Sequence, residues 1–456
     1  MDKKKKEIDF IHGGIYKNLI LFSLPLLLGN LLQQVYFIAD SMVVGNLIGD
    51  DALAAVGAAS SITIMFVFFF QGIASGAGIL VSQYLGAHQY GRIKRTILAA
   101  SIFTVAAGVI MSLVGAYFTE DLLRLINVPE EVFRQTYLYL FVSFAGMLPM
   151  LVYNMGAAIL QSMGDSKTPL YFLAVASVIN IVLDIYFVSN IGMGVEGTAV
   201  ATVIAQFVSA VLVFITIIRK SKEVSKENNE KSKTSLLFLL KDIMWVGIPI
   251  GVQQIVINLS GVIVQNHING IGKEAMAAWT IFCRIDTFVI LPFISFGVAA
   301  MTFVGQNYGA GKIARIFKGV KASMIISIIV TTVIGLVVCI FSENLFMLFT
   351  EEESVIDLAC NMMWSMVPFY AIMAVAKVYS SAVSGTGNSF VPMIVNIMFM
   401  CVIRMILIPM FTASVGHNMD TLYYTYYISW VLTGLSIGGY YHFRTKKQLK
   451  GMSGMV

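Results

Sequence analysis

Two aspartates, an asparagine and a threonine are the residues of this sequence best suited to bind a small cation. Asp40 lies near the end of the first long apolar segment, and Asn180 and Asp184 lie four residues apart in the fifth. This spacing places two side chains on one face of a helix. Thr202 lies shortly after the start of the sixth apolar segment. An ionisable residue in a bilayer costs roughly 2.5–3.5 kcal/mol, so these positions are functional candidates.

The positions of these residues along their segments predict that they meet. At 1.5 Å per residue, Asp40, Asp184 and Thr202 fall at similar depth in the outer half of the membrane. Two carboxylates that repel each other, with amide and hydroxyl oxygens beside them, form a set that can hold H⁺ or Na⁺. We therefore predict a cation-coupling site at Asp40, Asn180, Asp184 and Thr202. The alternative for Asp40 is an interfacial residue that contacts lipid head groups.

A second set of polar side chains lies within the apolar segments. They are predicted either to line a substrate cavity or to form hydrogen bonds between helices, and the two interpretations carry equal weight. The set consists of Gln33, Gln34, Tyr36, Asn154, Gln253, Gln254 and Asn258.

The second half of the chain carries a different set of charges. Asp286 and Arg404 lie at comparable depth in their segments, which predicts a structural ion pair. Lys377 is close enough to a segment end to extend its ammonium group to the cytoplasmic surface. Beyond this, the sequence assigns no role to Arg284, Lys377 or Arg404.

Other chemistry is excluded by missing motifs. The run 309–313 lacks the first glycine and the Ser/Thr of a phosphate-binding loop. The four cysteines lie inside apolar segments without metal-ligand spacing, which is typical of inert buried thiols. We expect no enzyme activity and no cofactor or metal beyond H⁺ or Na⁺. Energy must then come from an ion gradient, and one charge moved across 100 mV is worth about 2.3 kcal/mol.

The composition requires a membrane as the setting for these residues. Of 456 residues, 58% are hydrophobic and 12% are charged, whereas soluble domains carry about 25% charged residues. This excludes an ordinary soluble enzyme and a nucleic-acid binder. Apolar runs of this length are typical of spanning helices. Twelve are predicted, at 16–39, 52–81, 96–117, 133–160, 168–189, 196–218, 243–268, 276–304, 322–341, 356–383, 390–412 and 421–443.

The connecting loops alternate in charge. One set is basic and includes the lysine run 3–6, the linker 219–241 and the stretches 312–321 and 444–450. The other set carries most of the acidic residues. The basic loops should be cytoplasmic, which places both termini inside. We expect a plasma membrane location, in a bacterium the inner membrane.

The two halves of the chain repeat each other. Gly49, Gln83 and Arg92 recur 223 positions later as Gly272, Gln306 and Arg315. An even number of spans in each half predicts parallel repeats with a substrate path between them. The predicted organisation is an all-α membrane protein with an N-terminal six-helix lobe at 1–218, a cytoplasmic linker at 219–240 and a C-terminal six-helix lobe at 241–456.

The sequence resembles the multidrug and toxic compound extrusion (MATE) family. The resemblance rests on Leu24-Pro25 through Asp40, the loop Gly-Asp-Ser-Lys-Thr-Pro at 164–169, Asn180-x-x-x-Asp184, and 197–202. It implies a V-shaped pair of six-helix lobes with alternating access. It also implies export of organic cations or amphiphiles in exchange for H⁺ or Na⁺. The family's coupling site in the N-terminal lobe corresponds to Asp40, Asn180, Asp184 and Thr202.

The predicted function is therefore cation-coupled multidrug antiport by a monomer. Its expected partners are small organic cations or amphiphiles and membrane lipids, without nucleic acid. The alternative within the same superfamily is a lipid-linked oligosaccharide flippase, which needs several cavity cations to hold pyrophosphate. A membrane-embedded enzyme is a third possibility, but no nucleophile–base pair is visible in the spans.

Overall fold

The computed structural model describes residues 8–227 and 233–453, and all regular secondary structure in this part of the chain is helical. The lysine run 3–6 and residues 228–232 of the predicted linker lie outside the described residues. The helices in chain order are α1 (Ile15–Leu47), α2 (Asp50–Gly86), α3 (Tyr90–Tyr117), α4 (Thr119–Leu125), α5 (Glu130–Ala145), α6 (Met147–Ser162), α7 (Lys167–Ile185), α8 (Val195–Glu227), α9 (Leu236–Ile271), α10 (Lys273–Gly309), α11 (Ile313–Ile340), α12 (Ser342–Phe346), α13 (Glu353–Met366), α14 (Tyr370–Gly385), α15 (Phe390–Ile397), α16 (Ile403–Val415), α17 (Met419–Tyr440) and α18 (Lys446–Ser453).

Short irregular turns continue several of these helices. A π-helical turn, Tyr186–Ile191, follows α7, and another, Met398–Val402, joins α15 to α16. A 3₁₀ turn, Val367–Phe369, joins α13 to α14, and a π-helical turn, Tyr441–Thr445, joins α17 to α18. Turns of this kind allow a long helix to change direction while its backbone N–H and C=O groups stay hydrogen-bonded within the protein, as the lipid environment requires.

Eleven of the twelve predicted spans coincide with helices that can cross a membrane. Ten spans among the described residues are long and apolar enough, and α5 with α6 forms an eleventh, bent by 51°. The bend lies at Gly146, where the Val203 side chain occupies the space a Cβ would need. The remaining predicted span, 421–443, corresponds to α17, which is less apolar because it is rich in Tyr, Thr and Ser.

The described residues form two compact units, one containing 28–227 and 233–251 and the other 8–27 with 252–453. Two stretches therefore differ from the predicted lobe boundaries: 8–27 packs in the second unit and 241–251 in the first. The chain crosses between the units at two places. One lies two residues after Pro25 in α1, and the other lies two residues after Pro249 in α9. Hydropathy does not reveal this exchange, because it depends on which helix each half-span packs against.

The segment before α1 is held firmly inside the second unit. Phe10 is fully buried and packs edge-on against Phe22 and Phe303, with ring centroids 5.1 and 5.5 Å away. The carbonyl oxygen of Phe10 accepts hydrogen bonds from Asn307 Nδ2 at 3.1 Å and from Arg315 Nε at 3.0 Å. Arg315 also donates to the Gly13 carbonyl oxygen. These contacts attach the start of α1 to α10 and α11.

Candidate functional site

A tight connection between α7 and α8 sets the geometry of the predicted coupling site. The π-helical turn after α7 ends at Gly192, whose φ of +76° is in the left-handed region that favours glycine. Gly197 in the first turn of α8 leaves room for Met193, whose Cβ would lie 2.8 Å from an added Cβ. The chain therefore reverses within a few residues. Because the reversal is short, Thr202 comes to the same level as Asn180 and Asp184.

Hydrogen bonds join three of the four predicted residues and add a fourth partner. Asn180 Nδ2 donates to Thr202 Oγ1 at 3.2 Å and lies 3.4 Å from Asp184 Oδ1. The hydroxyl of Tyr36 lies 3.1 Å from Thr202 Oγ1. Tyr36, predicted as a cavity residue, thus contacts the coupling cluster. Asn180 and Asp184 are fully buried.

The fourth predicted residue, Asp40, approaches from α1. It is 6% exposed, and its carboxyl group lies within hydrogen-bonding reach of the Asp184 carboxyl group. The ion pairs found among the described residues involve neither aspartate. Two ionised carboxylates at this separation repel each other strongly in a medium of low dielectric constant. The contact therefore needs a positive charge, either a proton between the carboxyl groups or a bound cation.

Three buried oxygens of the cluster have no hydrogen-bond donor in the described part of the chain. They are Asp40 Oδ1, Asn180 Oδ1 and Asp184 Oδ2. A buried acceptor without a partner costs about 1–3 kcal/mol. Oxygens of carboxylate and amide groups are the ligands that hard cations prefer. The cluster (Tyr36, Asp40, Asn180, Asp184 and Thr202) thus has the chemistry to take up H⁺ or Na⁺.

Sequence reasoning missed one residue beside this cluster. Tyr139 on α5 is buried, interacts electrostatically with Asp40 and Asp184, and bonds through its hydroxyl to the side chain of Ser60 on α2. A signal was available in the sequence, since Tyr139 lies six residues into its predicted span, as Thr202 does. Tyr139 closes the cluster on the side of α5.

The other predicted cavity residues have varied surroundings, each within its own unit. Asn154 accepts a hydrogen bond from Gln71 Nε2 at 3.2 Å and donates to the Met150 carbonyl oxygen. Asn258 is exposed and donates to the Gln254 carbonyl oxygen at 2.8 Å. Gln33, Gln34 and Gln253 are half-buried, as is Gln254. Their role in a cavity stays a prediction.

The predicted ion pair between Asp286 and Arg404 is not formed among the described residues. Asp286 instead accepts a hydrogen bond from the Tyr370 hydroxyl. Arg404 Nε donates to Ser429 Oγ at 3.1 Å, and its guanidinium group lies 4.0 Å from the centre of the Tyr426 ring. Equal depth in two spans does not determine the direction in which the side chains point. Asp286 is bonded to a residue of α14, and Arg404 is bonded to a residue of α17.

Known proteins share both the sequence pattern and the fold of this chain. A family model described as MatE matches residues 25–187 and 249–410, the same regions that form the internal repeat. Probable multidrug resistance protein YoeA of Bacillus subtilis is 29% identical over 448 residues, 95% of each chain. Probable multidrug resistance protein YpnP of the same organism is also 29% identical and covers 91% of this chain and 92% of its own.

Solved structures share the fold over its full length. A crystal structure of a MATE protein in the bent conformation has a TM-score of 0.89 and 20% identity, and the match covers 99% of this chain and all of that one. The prediction of an all-α, multi-pass membrane protein is thereby confirmed. Since the family model matches both repeats and most of the chain, the protein belongs to the MatE family.

Proposed function

We propose that this protein is a secondary active efflux transporter that exchanges organic cations or amphiphiles for H⁺ or Na⁺. The observation that carries the proposal is the contact between Asp40 and Asp184 without a basic partner among the described residues. A buried carboxylate pair that must gain and lose a positive charge is a suitable coupling site for an ion gradient. Relatives carry names such as "Multidrug export protein MepA" of Staphylococcus aureus, which supports drug-like substrates.

Coupling arises when the ion and the substrate bind preferentially to different conformations of the transporter. If ion binding stabilises one conformation and substrate binding the other, each ligand lowers the affinity of the transporter for the other by the same factor. The free energy of the gradient, about 2.3 kcal/mol per charge at 100 mV, then drives export. We place the protein in the cell membrane with both termini in the cytoplasm, as the charge of the loops indicates, and propose that it acts as a monomer.

Transport in reconstituted vesicles tests this function. Purified protein in liposomes would be given either a pH gradient or a Na⁺ gradient, and ethidium movement would be followed by fluorescence. We expect one gradient to drive transport and Asp184→Asn to lower the driven rate by about tenfold or more, in the range of typical coupling energies. Asp40→Asn should behave similarly, because either substitution removes one negative charge from the pair.

The matched control is Asp121→Asn, which removes an exposed carboxylate on α4 and should transport normally. Full gradient-driven transport by Asp184→Asn would exclude the proposed coupling role. Absence of ethidium transport by the native protein under both gradients would exclude the proposed function.

A further inference from the structure

Arg404 is a buried cation without an acidic partner among the described residues. It lies on α16, is only 7% exposed and belongs to the second unit. Its Nε atom donates to Ser429 Oγ. Within residues 8–227 and 233–453, no acceptor is found for its two terminal nitrogens, and neither is among the fully buried atoms that lack a partner, so both keep some exposed surface. A guanidinium group has five N–H donors in a planar fork, so most of its hydrogen-bonding capacity is unused.

The acidic residue that the sequence predicted to pair with Arg404 is engaged elsewhere. Asp286 accepts its hydrogen bond from Tyr370, and Tyr426 interacts electrostatically with both Asp286 and Arg404. Burying an unpaired charge is costly, because the protein interior screens it poorly and supplies no compensating charge. An anionic ligand would supply the missing charge and accept the free N–H groups as a bidentate pair.

One aromatic ring lies against this cation, and further rings pack beside that ring. The Tyr426 ring lies against the guanidinium group, and the Trp430 ring lies 5.2 Å from Tyr426 and 5.3 Å from Tyr370. Trp279 lies 6.3 Å from Tyr426. Trp430 and Tyr370 are 5% and 2% exposed, whereas Tyr426 and Trp279 are half-buried and keep surface against which a planar aromatic ligand can pack. The four rings and Arg404 all belong to the second unit.

We propose that Arg404 and the rings of Tyr426 and Trp279 form a binding site for aromatic carboxylates. The guanidinium fork binds the carboxylate group, and the rings pack against the aromatic body. This site is distinct from the cation cluster of the first unit, which is built from carboxyl groups. It rests on the proposed function only in assigning the bound compound as a transport substrate, since binding itself can be measured without transport.

Binding of 1-naphthoate to the full-length protein in phosphatidylcholine nanodiscs tests the proposal. Quenching of tryptophan fluorescence would report binding, because Trp279 lies in the site and Trp430 packs beside it. We expect saturable binding by the native protein and an affinity lowered about tenfold or more in Arg404→Gln, because charge-assisted hydrogen bonds are lost. Arg404→Lys should bind with intermediate affinity, since it keeps the charge but not the fork.

Two controls separate this site from general effects. Arg284→Gln removes an exposed arginine of α10 and should bind 1-naphthoate as the native protein does. The matched cation 1-naphthylmethylammonium should show no loss of affinity in Arg404→Gln. If Arg404→Gln does not fold, Ser429→Ala provides a second test, because it releases Nε from its partner and should weaken 1-naphthoate binding several-fold.

Several outcomes would overturn the proposal. They are an absence of saturable 1-naphthoate binding by the native protein, equal affinity in Arg404→Gln, and loss of Arg404-dependent binding when phosphatidylglycerol is added to the nanodiscs. The last result would assign the arginine to an anionic lipid head group. Ethidium transport by the same preparations distinguishes the Arg404 site from the proposed function. Normal ethidium transport without 1-naphthoate binding would contradict only the Arg404 site.

Discussion

Gly72 of α2 and Gly251 of α9 pack backbone against backbone inside the first unit. A Cβ added at Gly72 would overlap the backbone of Gly251, and one added at Gly251 would lie 2.6 Å from the Phe69 carbonyl oxygen. One turn away, an added Cβ at Gly76 would lie 2.6 Å from the backbone nitrogen of Gly247. Paired small residues at four-residue spacing allow this close approach of two membrane helices.

Gly72→Ala should therefore destabilise the protein. The added methyl group has no space and should cost about 1–3 kcal/mol, as overpacking of a core does. Gly57→Ala on the same helix is the control, because nothing lies within 4 Å of a Cβ there, and its unfolding temperature in detergent should be unchanged or slightly raised. Equal unfolding temperatures for the two variants would contradict the close crossing.

The buried pair of Asp165 and Lys220 should stabilise the loop between α6 and α7. Asp165 accepts hydrogen bonds from Lys220 Nζ at 2.9 Å and from Thr168 Oγ1 at 2.7 Å. We expect Asp165→Asn to lower the free energy of unfolding by about 2 kcal/mol at neutral pH, since bonds to a charged group are lost. Chemical unfolding of both proteins measures the difference, and Asp121→Asn is the exposed control.

This difference should depend on pH with a defined sign. Burial raises the pKa of Asp165, but the Lys220 charge and the hydrogen bonds from Lys220 and Thr168 outweigh it, so the pKa lies below the ordinary value of 3.8. A lowered pKa contributes stability that is present above the unfolded-state value and is lost as pH falls through the folded-state value. The difference in free energy of unfolding between the native protein and Asp165→Asn should thus stay constant near neutral pH and shrink below about pH 4. A difference that widens on acidification would contradict this.

The docked segment before α1 should stabilise the second unit. Phe10→Ala removes a fully buried ring and should lower the free energy of unfolding by about 3 kcal/mol. Tyr16→Ala is the control, because that side chain is 53% exposed. Unfolding in detergent, followed by fluorescence, measures both. Similar losses for the two variants would mean that the Phe10 contacts contribute little.

Tyr36→Phe should weaken ion coupling without abolishing transport. The substitution removes the hydroxyl that contacts Thr202 and leaves both carboxyl groups in place. Loss of one hydrogen bond is worth about 1 kcal/mol, which corresponds to about a fivefold higher concentration of the coupling ion for half-maximal transport. Titration of transport with the coupling ion in liposomes measures this shift, with Tyr16→Phe as the control. An unchanged titration would remove Tyr36 from the cluster.

Local patterns in the sequence were sufficient for the helical architecture. Uninterrupted apolar runs determine where spanning helices form, because a backbone in lipid must satisfy its own hydrogen bonds. The repeat at a constant offset predicted two similar halves, and the family match at 25–187 and 249–410 follows it. The four-residue spacing of Asn180 and Asp184 placed both on one helix face.

Contacts between distant segments required the tertiary structure. The sequence did not predict four of these contacts. They are the exchange of 8–27 and 241–251 between the units, the contact of Tyr36 with Thr202, the position of Tyr139, and the separate partners of Asp286 and Arg404. Hydropathy and spacing describe one helix at a time. Which side chains meet depends on how helices cross and rotate against each other, and that is set by close packing of residues far apart in the chain.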